Sequence, residues 1–275
     1  MAFFPLKPQK AWPGCRSIIW PGYFTKKTVG KTIARKSLQE ITYGYVPELY
    51  FQASKNWTTP MDKFGTHPSI KHVALAGNIG AGKTTLAAKL SRAFGWEAHF
   101  ESTEDNPYLS DFYHDMKRWS FNLQIFFLHS RYHQILQIAK GDQTVVQDRT
   151  IYEDAYIFAP NLHDMGLMSS RDFNNYLRLF ETMIAQINPP DLLIYLRASI
   201  PTLVAHIQSR GREYEGNMSL DYLKRLNQRY EEWIRSYEDG RLLIINSDEV
   251  DFEHNPEDLG KVVNQVHTEL HGLFD

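Results

Sequence analysis

Cysteine is all but absent from this 275-residue chain. Cys15 stands alone, which excludes a disulfide framework and a metal site built on cysteine sulfur. That scarcity suits a reducing compartment, and a cytoplasmic protein is expected. Long apolar runs are missing as well: no stretch approaches the roughly 20 residues of a membrane-spanning helix. The eleven histidines are read as holding no His-x-x-x-His spacing or other metal-binding cluster, so no zinc site is expected. Acids are nearly missing from residues 1–60, where nine lysines and arginines meet only Glu40 and Glu48 for a net +7, whereas the rest of the chain carries −9. An acidic body lacks the basic face that nucleic acid requires. The partner expected from these absences is a small molecule, with no nucleic acid and no membrane.

What is present divides unevenly. Residues 1–60 scatter prolines and the aromatics Trp12, Trp20, Tyr23 and Phe24 without a sustained period. Three readings stay open for them. They could be an extension outside the folded unit, with Met61 as the functional start some ten residues before the first strand. They could be an organellar targeting segment, although serines are few and Trp and Pro interrupt any amphipathic helix. A small accessory domain is the third. The first is favoured, which leaves residues 61–275 as the folded body.

The densest signal is Gly77-Asn78-Ile79-Gly80-Ala81-Gly82-Lys83-Thr84, followed by Thr85. It fits G-x-x-x-x-G-K-[ST], the phosphate-binding loop. Glycines let the backbone wrap a polyphosphate with its N–H groups inward, and the next helix offers its positive N-terminal end. Lys83 is placed to reach the outer phosphates, and the Thr84 hydroxyl to bind Mg²⁺. The flanks agree: His72 to Ala76 is a short apolar run suited to a central parallel strand, and Leu86, Leu90 and Phe94 recur at helical spacing. A nucleoside triphosphate such as ATP is the ligand this loop predicts.

Downstream the pattern alternates strand and helix. Strands are predicted at Trp96–Phe100, Thr144–Gln147, Leu192–Leu196 and Arg241–Asn246. Helices are predicted at about 107–117, 119–139, 169–187, 201–209 and 219–238, and from near Pro256. On the second of these, Phe121, Ile125, Leu128, Tyr132 and Ile135 form the expected core stripe. The fold class is therefore α/β, a five-stranded parallel sheet covered on both faces. Ligands of such sheets sit beyond the carboxyl ends of the strands. That singles out Glu101 and Asp148, each at a strand end, with Glu104 and Asp105 as rivals to Glu101 farther from its strand. A carboxylate there can accept a hydroxyl proton. An acid ending a buried strand beside the loop suits an oxygen-loving metal ion.

Four separated motifs, spread over about residues 71–247, resemble the deoxynucleoside kinase family, and deoxyadenosine/deoxyguanosine kinases in particular. They are Gly77–Thr85; Arg118-Trp119-Ser120-Phe121 with Gln124 and Ser130-Arg131; Asp148-Arg149-Thr150-Ile151-Tyr152-Glu153-Asp154; and Arg210-Gly211-Arg212 with Glu215 and Leu220-Asp221-Tyr222-Leu223. The resemblance implies a P-loop kinase fold with an arginine-bearing lid, and transfer of a γ-phosphate to the 5′-hydroxyl of a deoxynucleoside. It implies Glu101 as the base, Arg149 and Lys83 at the reacting centre, and Thr84 with Asp148 as Mg²⁺ ligands. It assigns Gln124, Arg131 and Asp154 to the nucleobase, Tyr113 and Glu215 to the sugar 3′-hydroxyl, and Arg210 and Arg212 to a lid over the triphosphate. It further implies a role in nucleotide salvage, a homodimer, and purine deoxynucleosides as substrates with deoxycytidine possible. Two departures stand out: Tyr214 occupies a place where the family often has a second carboxylate, and residues 1–60 have no counterpart. A nucleoside monophosphate kinase would need more basic groups in the acceptor region. A non-catalytic member of the fold would be expected to lack Lys83, Thr84, Glu101 or Arg149, and all four are present.

Overall fold

The computed structural model describes residues 70–101, 106–212, 215–216 and 218–272. The extension expected over residues 1–60, and Glu104, Asp105 and Tyr214, lie outside the described residues. Five strands make one sheet: β1 (His72–Gly77), β2 (Glu97–His99), β3 (Val145–Asp148), β4 (Leu192–Arg197) and β5 (Arg241–Asn246). Their order is β2-β3-β1-β4-β5 and every pairing is parallel. β1 is buried along its whole length, and so is β4 up to Arg197. That is why both read as unbroken apolar runs rather than alternating ones.

The helices are α1 (Lys83–Phe94), α2 (Leu109–His114), α3 (Met116–Lys140), α4 (Ile151–Glu153), α5 (Ala159–Asp164), α6 (Ser170–Ile184), α7 (Ile200–Arg210), α8 (Leu220–Arg235) and α9 (Pro256–His271). Their starts are chemically marked. The side chains of Asp115, Ser169, Ser219 and Asn255 each accept a backbone N–H of the first turn they precede, satisfying donors that have no partner within the helix. From β1 the chain runs through α1 to β2, on one side. From β3 it crosses β1 to reach β4, on the other. The crevice at the carboxyl ends of β1 and β3 is therefore a topological switch point. Leu75 pairs with Asp148 across it, which sets the phosphate loop beside the acid ending β3.

The structure departs from the sequence reading in two places that matter for the site. No element was expected between Asp148 and residue 169, yet the chain is helical from Ile151 to Asp164, with a π-helical turn at Asp154–Phe158 joining α4 to α5. Pro160 reads as a helix breaker because a proline clashes with the carbonyl four residues back. Here the turn just ahead of it is widened, with the Ala159 N–H reaching back to Asp154 O. The second departure is on α3. Its fully buried face carries Leu123, Gln124, Phe127, Leu128, Arg131, Ile135 and Ile138, while Phe121, Ile125 and Tyr132 of the expected stripe are only partly buried. The buried face is turned about a quarter turn from the expected stripe and shares Leu128 and Ile135 with it, because three of its positions, Ser120, Gln124 and Arg131, are polar.

Candidate active site

A cavity of about 920 Å³ opens at the switch point, near the upper end of the range for single-ligand sites. Its donor side is the phosphate loop. Gly80 and Gly82 have φ of 86° and 94°. A Cβ on Gly80 would sit 2.7 Å from Leu203 O, and one on Gly82 would sit 2.9 Å from the Phe252 ring. Neither position admits another residue without strain. The Ala81 N–H donates to Asn78 O at 3.1 Å, closing the turn. The Asn78 side chain accepts from the Ile79 N–H at 2.8 Å and donates to Leu223 O and Asn227 Oδ1 at 3.1 and 3.2 Å, tying the loop to α8. Lys83 Nζ is buried and donates to Gly77 O at 2.7 Å and Asn78 O at 3.0 Å. Burial, helped by the nearby Arg149 charge, pushes its ammonium down to about 8.

Thr84 Oγ1 donates to Asp148 Oδ2 at 2.5 Å, and Asp148 Oδ1 is buried with no hydrogen-bond partner. Burial pushes the Asp148 carboxyl up. A hydroxyl and a carboxylate with an unspent oxygen are the hard donors that Mg²⁺ prefers, so the residues fit that ion. Ile79 and Thr85 line the same cavity, as do Arg210 and Arg212 from the end of α7. Both arginines turn to Glu215 Oε1, at 2.5 and 3.7 Å, leaving Glu215 Oε2 buried and unbonded.

On the acceptor side, Glu101 leaves β2 and its Oε1 lies 2.6 Å from Arg131 Nη2 and 3.7 Å from Arg149 Nε. Burial alone would raise the Glu101 carboxyl, but Arg149, Arg131 and Lys83 together outweigh it and hold it at about 2. Arg149 follows β3 with φ of 72°, the one non-glycine in that region among the described residues. A side chain pays for such a conformation in backbone strain, which persists where surrounding contacts enforce it. Here the Arg149 N–H is held by Leu75 O at 3.0 Å and its guanidinium lies 4.5 Å over the Phe158 ring.

Gln124, Asp154 and Tyr113 line the cavity with Glu101 and Glu215. Gln124 is 2% exposed and its Oε1 has no hydrogen-bond partner. Arg131 is not among the lining residues. It stands behind them, bridging Glu101 to Asp154, whose Oδ2 is 3.0 Å from Arg131 Nη1 at an angle too poor for a hydrogen bond. Burial, against the pull of Arg131 and Arg149, pushes the Asp154 carboxyl up to about 7. Unspent acceptors on Gln124 and Asp154, beside the apolar walls of Phe112, Phe127 and Phe158, suit a flat ligand with hydrogen-bonding edges.

The chain matches the family described as Deoxynucleoside kinase over residues 73–271, which takes in every strand and helix but the first residue of β1. It belongs to that family. A deoxyadenosine/deoxycytidine kinase of Bacillus subtilis (strain 168) is 36% identical over 206 residues, 74% of this chain and 95% of that protein. A deoxyguanosine kinase of Lactobacillus acidophilus is 36% identical over 203 residues, covering 70% and 88%. Among solved structures, a deoxyadenosine kinase from M. mycoides with bound dATP superposes with a TM-score of 0.64 at 29% identity, over 71% of this chain and 99% of that one. The chain is thus a phosphotransferase of the P-loop kinase fold that acts on deoxynucleosides with a nucleotide as phosphate donor.

Several parts of this kinase's site carry no local sequence signal. Phe112, Phe127 and Phe158 occupy ordinary core positions by periodicity. The loop after β5, from Ser247 to His254, lines the donor end and sets Phe252 against Gly82; only its place after a strand end marks it. A chain of side-chain hydrogen bonds running from the buried His72 out to the surface has no local sequence signal either. His72 Nε2 meets Gln147 Oε1, Gln147 Nε2 donates to Gln134 Oε1, and Gln134 Nε2 donates to Phe100 O, each at 2.9 Å. It ties β1, β3 and α3 to the residue before Glu101. Two His-x-x-x-His spacings stand against the expectation of no zinc cluster. They are His129/His133 and His267/His271, whose rings lie 6.5 and 4.9 Å apart. Among the described residues no third His, Cys, Asp or Glu joins either pair to make a metal-holding group.

Proposed function

We propose that this kinase transfers the γ-phosphate of ATP to the 5′-hydroxyl of a purine deoxynucleoside, with deoxycytidine a weaker acceptor and Mg²⁺ as the metal. The observation that carries this reading is the buried Gln124–Arg131–Asp154 set beside Glu101: Gln124 and Asp154 line the cavity with unspent acceptor oxygens, and Arg131 pairs with Asp154 behind them, an arrangement suited to a nucleobase. The names of the similar kinases, for deoxyadenosine, deoxyguanosine and deoxycytidine, support the same substrate class. A base that leaves these buried groups unpaired is rejected strongly.

In the mechanism, the loop amides and Lys83 take the donor phosphates. Thr84 and Asp148 would hold Mg²⁺, which supplies charge neutralisation when bound. Tyr113 and Glu215 Oε2 hold the 3′-hydroxyl side of the sugar, a wall against which a 2′-hydroxyl would have to fit. Glu101 accepts the 5′-hydroxyl proton. Its low proton affinity is no obstacle, because phosphoryl transfer has a loose transition state in which positioning and charge do most of the work. Arg149, Arg210 and Arg212 stabilise charge on the transferring group, the last two after exchanging Glu215 for phosphate as the lid closes. We further assign the kinase to deoxynucleotide salvage, as a cytoplasmic homodimer. N-terminal sequencing of the native protein decides between this location and organellar targeting by residues 1–60, and sedimentation decides the oligomer. The direct test of substrate class is a four-deoxynucleoside panel with ATP and Mg²⁺. Deoxyadenosine or deoxyguanosine should lead in kcat/KM and thymidine should trail by at least roughly tenfold; a thymidine preference would overturn the reading.

A further inference from the structure

Glu153 sits inside the Asp148–Asp154 motif, yet the mechanism leaves it without a task. It is fully buried, and all its hydrogen bonds come from neutral donors. Oε2 accepts from the Thr150 N–H at 2.7 Å and from Thr150 Oγ1 at 3.3 Å. Oε1 accepts from the Tyr230 hydroxyl on α8 at 2.8 Å and from the Gly77 N–H at 3.3 Å. As the third residue of α4, it completes a capping box with Thr150. A cap alone does not need this: a surface glutamate caps as well without the desolvation penalty of a buried carboxylate. The difference lies in what the four bonds join.

Thr150 follows the strained residue. Arg149 therefore has its own N–H fixed to Leu75 O on β1, and the next N–H fixed to Glu153. The other oxygen of that carboxylate holds the N–H of Gly77, the first residue of the phosphate loop. Tyr230 then links the cluster to α8, the helix to which Asn78 is also tied. Burial and the Glu153 charge push the Tyr230 hydroxyl well above its ordinary value, so it stays a donor. The Glu153 charge also favours the cationic forms of Lys83 and Arg149.

We propose that Glu153 is a positioning residue for phosphoryl transfer, its carboxylate locking the left-handed Arg149 turn to the first amide of the phosphate loop. Arginine and donor phosphates then keep one register through the reaction. The proposal rests on the reading of Arg149 as the residue that stabilises charge at the reacting centre.

Glu153→Gln is the test. A carboxamide has one acceptor oxygen, so it cannot serve both the Thr150 pair and the Gly77–Tyr230 pair. In the folded full-length variant kcat should fall roughly 10–100-fold, the range expected for losing bonds to a buried charged group, while both KM values stay within about threefold. Unchanged kcat overturns the proposal. So does a joint loss in kcat and both KM values, which would mean that the pocket has simply collapsed. Arg149→Ala, measured beside it, separates the premises. If that variant keeps its kcat, the role of Arg149 fails; if it is inactive while Glu153→Gln is normal, only the role of Glu153 fails. Should Glu153→Gln not be recovered folded, Tyr230→Phe decides. A kcat reduced at least about threefold with KM unchanged supports the link, and an unchanged kcat contradicts it.

Discussion

At the scale of single residues, the site sorts its ionisable groups by which neighbours oppose burial. Glu101, partly buried, and Asp154, fully buried, both carry carboxyls against Arg131, yet one is held at about 2 and the other at about 7. Glu101 has three cations around it and a short contact to Arg131. At Asp154 burial prevails, because the pull of Arg131 and Arg149 is partly offset by the Glu101 and Glu153 charges. The acid limb of activity should then belong to Asp154. Its ionised fraction rises with pH through 7, and the carboxylate would accept from the amino group of adenine more strongly than the protonated acid, which keeps only weaker acceptor capacity. We expect kcat/KM for deoxyadenosine to climb between about pH 6 and 8, and the climb to vanish in Asp154→Asn; a wild-type profile flat across that window would contradict the assignment. Lys83, held at about 8, sets the other limb. Above that pH the free enzyme loses the charge, so KM for ATP should rise there while kcat at saturating ATP changes less, which steady-state kinetics at pH 7 and 9 measures.

At the scale of elements, catalytic side chains are held by polar contacts threaded through an apolar frame. The amide chain from His72 through Gln147 and Gln134 to Phe100 O is one such thread. Burial pushes His72 down to about 4, so the imidazole is neutral and donates from Nε2. Gln147→Leu keeps the bulk but strands the buried His72 donor and the Gln134 acceptor. It should lower stability by about 1–3 kcal/mol in a denaturant melt. Because the strand end carrying Glu101 is then loosened, kcat should fall several-fold; a variant as stable and as active as the parent would show that the chain holds nothing.

The same elements show what could be read in advance. Central strands announce themselves because burial on both faces demands continuous apolar residues, as in Leu192–Leu196. The phosphate loop does so because φ above zero and close packing demand glycine, as at Gly80 and Gly82. Glu101 and Asp148 follow from the rule of strand ends. The helical run from Ile151 to Asp164 did not, because its π turn and Pro160 break the 3.6-residue period. Nor did the buried face of α3, where Gln124 and Arg131 stand at core positions and disguise the stripe. The left-handed turn at Arg149 and the bonds of Glu153 have no local signature at all. They arise only when β1, β3 and α8 come together.

At the scale of the whole molecule, the donor and acceptor halves are both built within the family-matched stretch. Among the described residues, those lining the cavity all lie between Ile79 and Asp258. We therefore propose that a chain starting at Met61 retains kcat and KM within about twofold of the full-length protein; a larger loss would assign residues 1–60 a part in the fold or site. In the proposed mechanism the two halves meet at Glu101, whose carboxylate lies 2.6 Å from Arg131 and 3.7 Å from Arg149. The most direct measurement is the rate of phosphoryl transfer to deoxyadenosine in Glu101→Gln, taken together with its affinity for ATP. The account predicts a fall of roughly 10²-fold or more in transfer with ATP binding intact; near-normal turnover in that variant would contradict it.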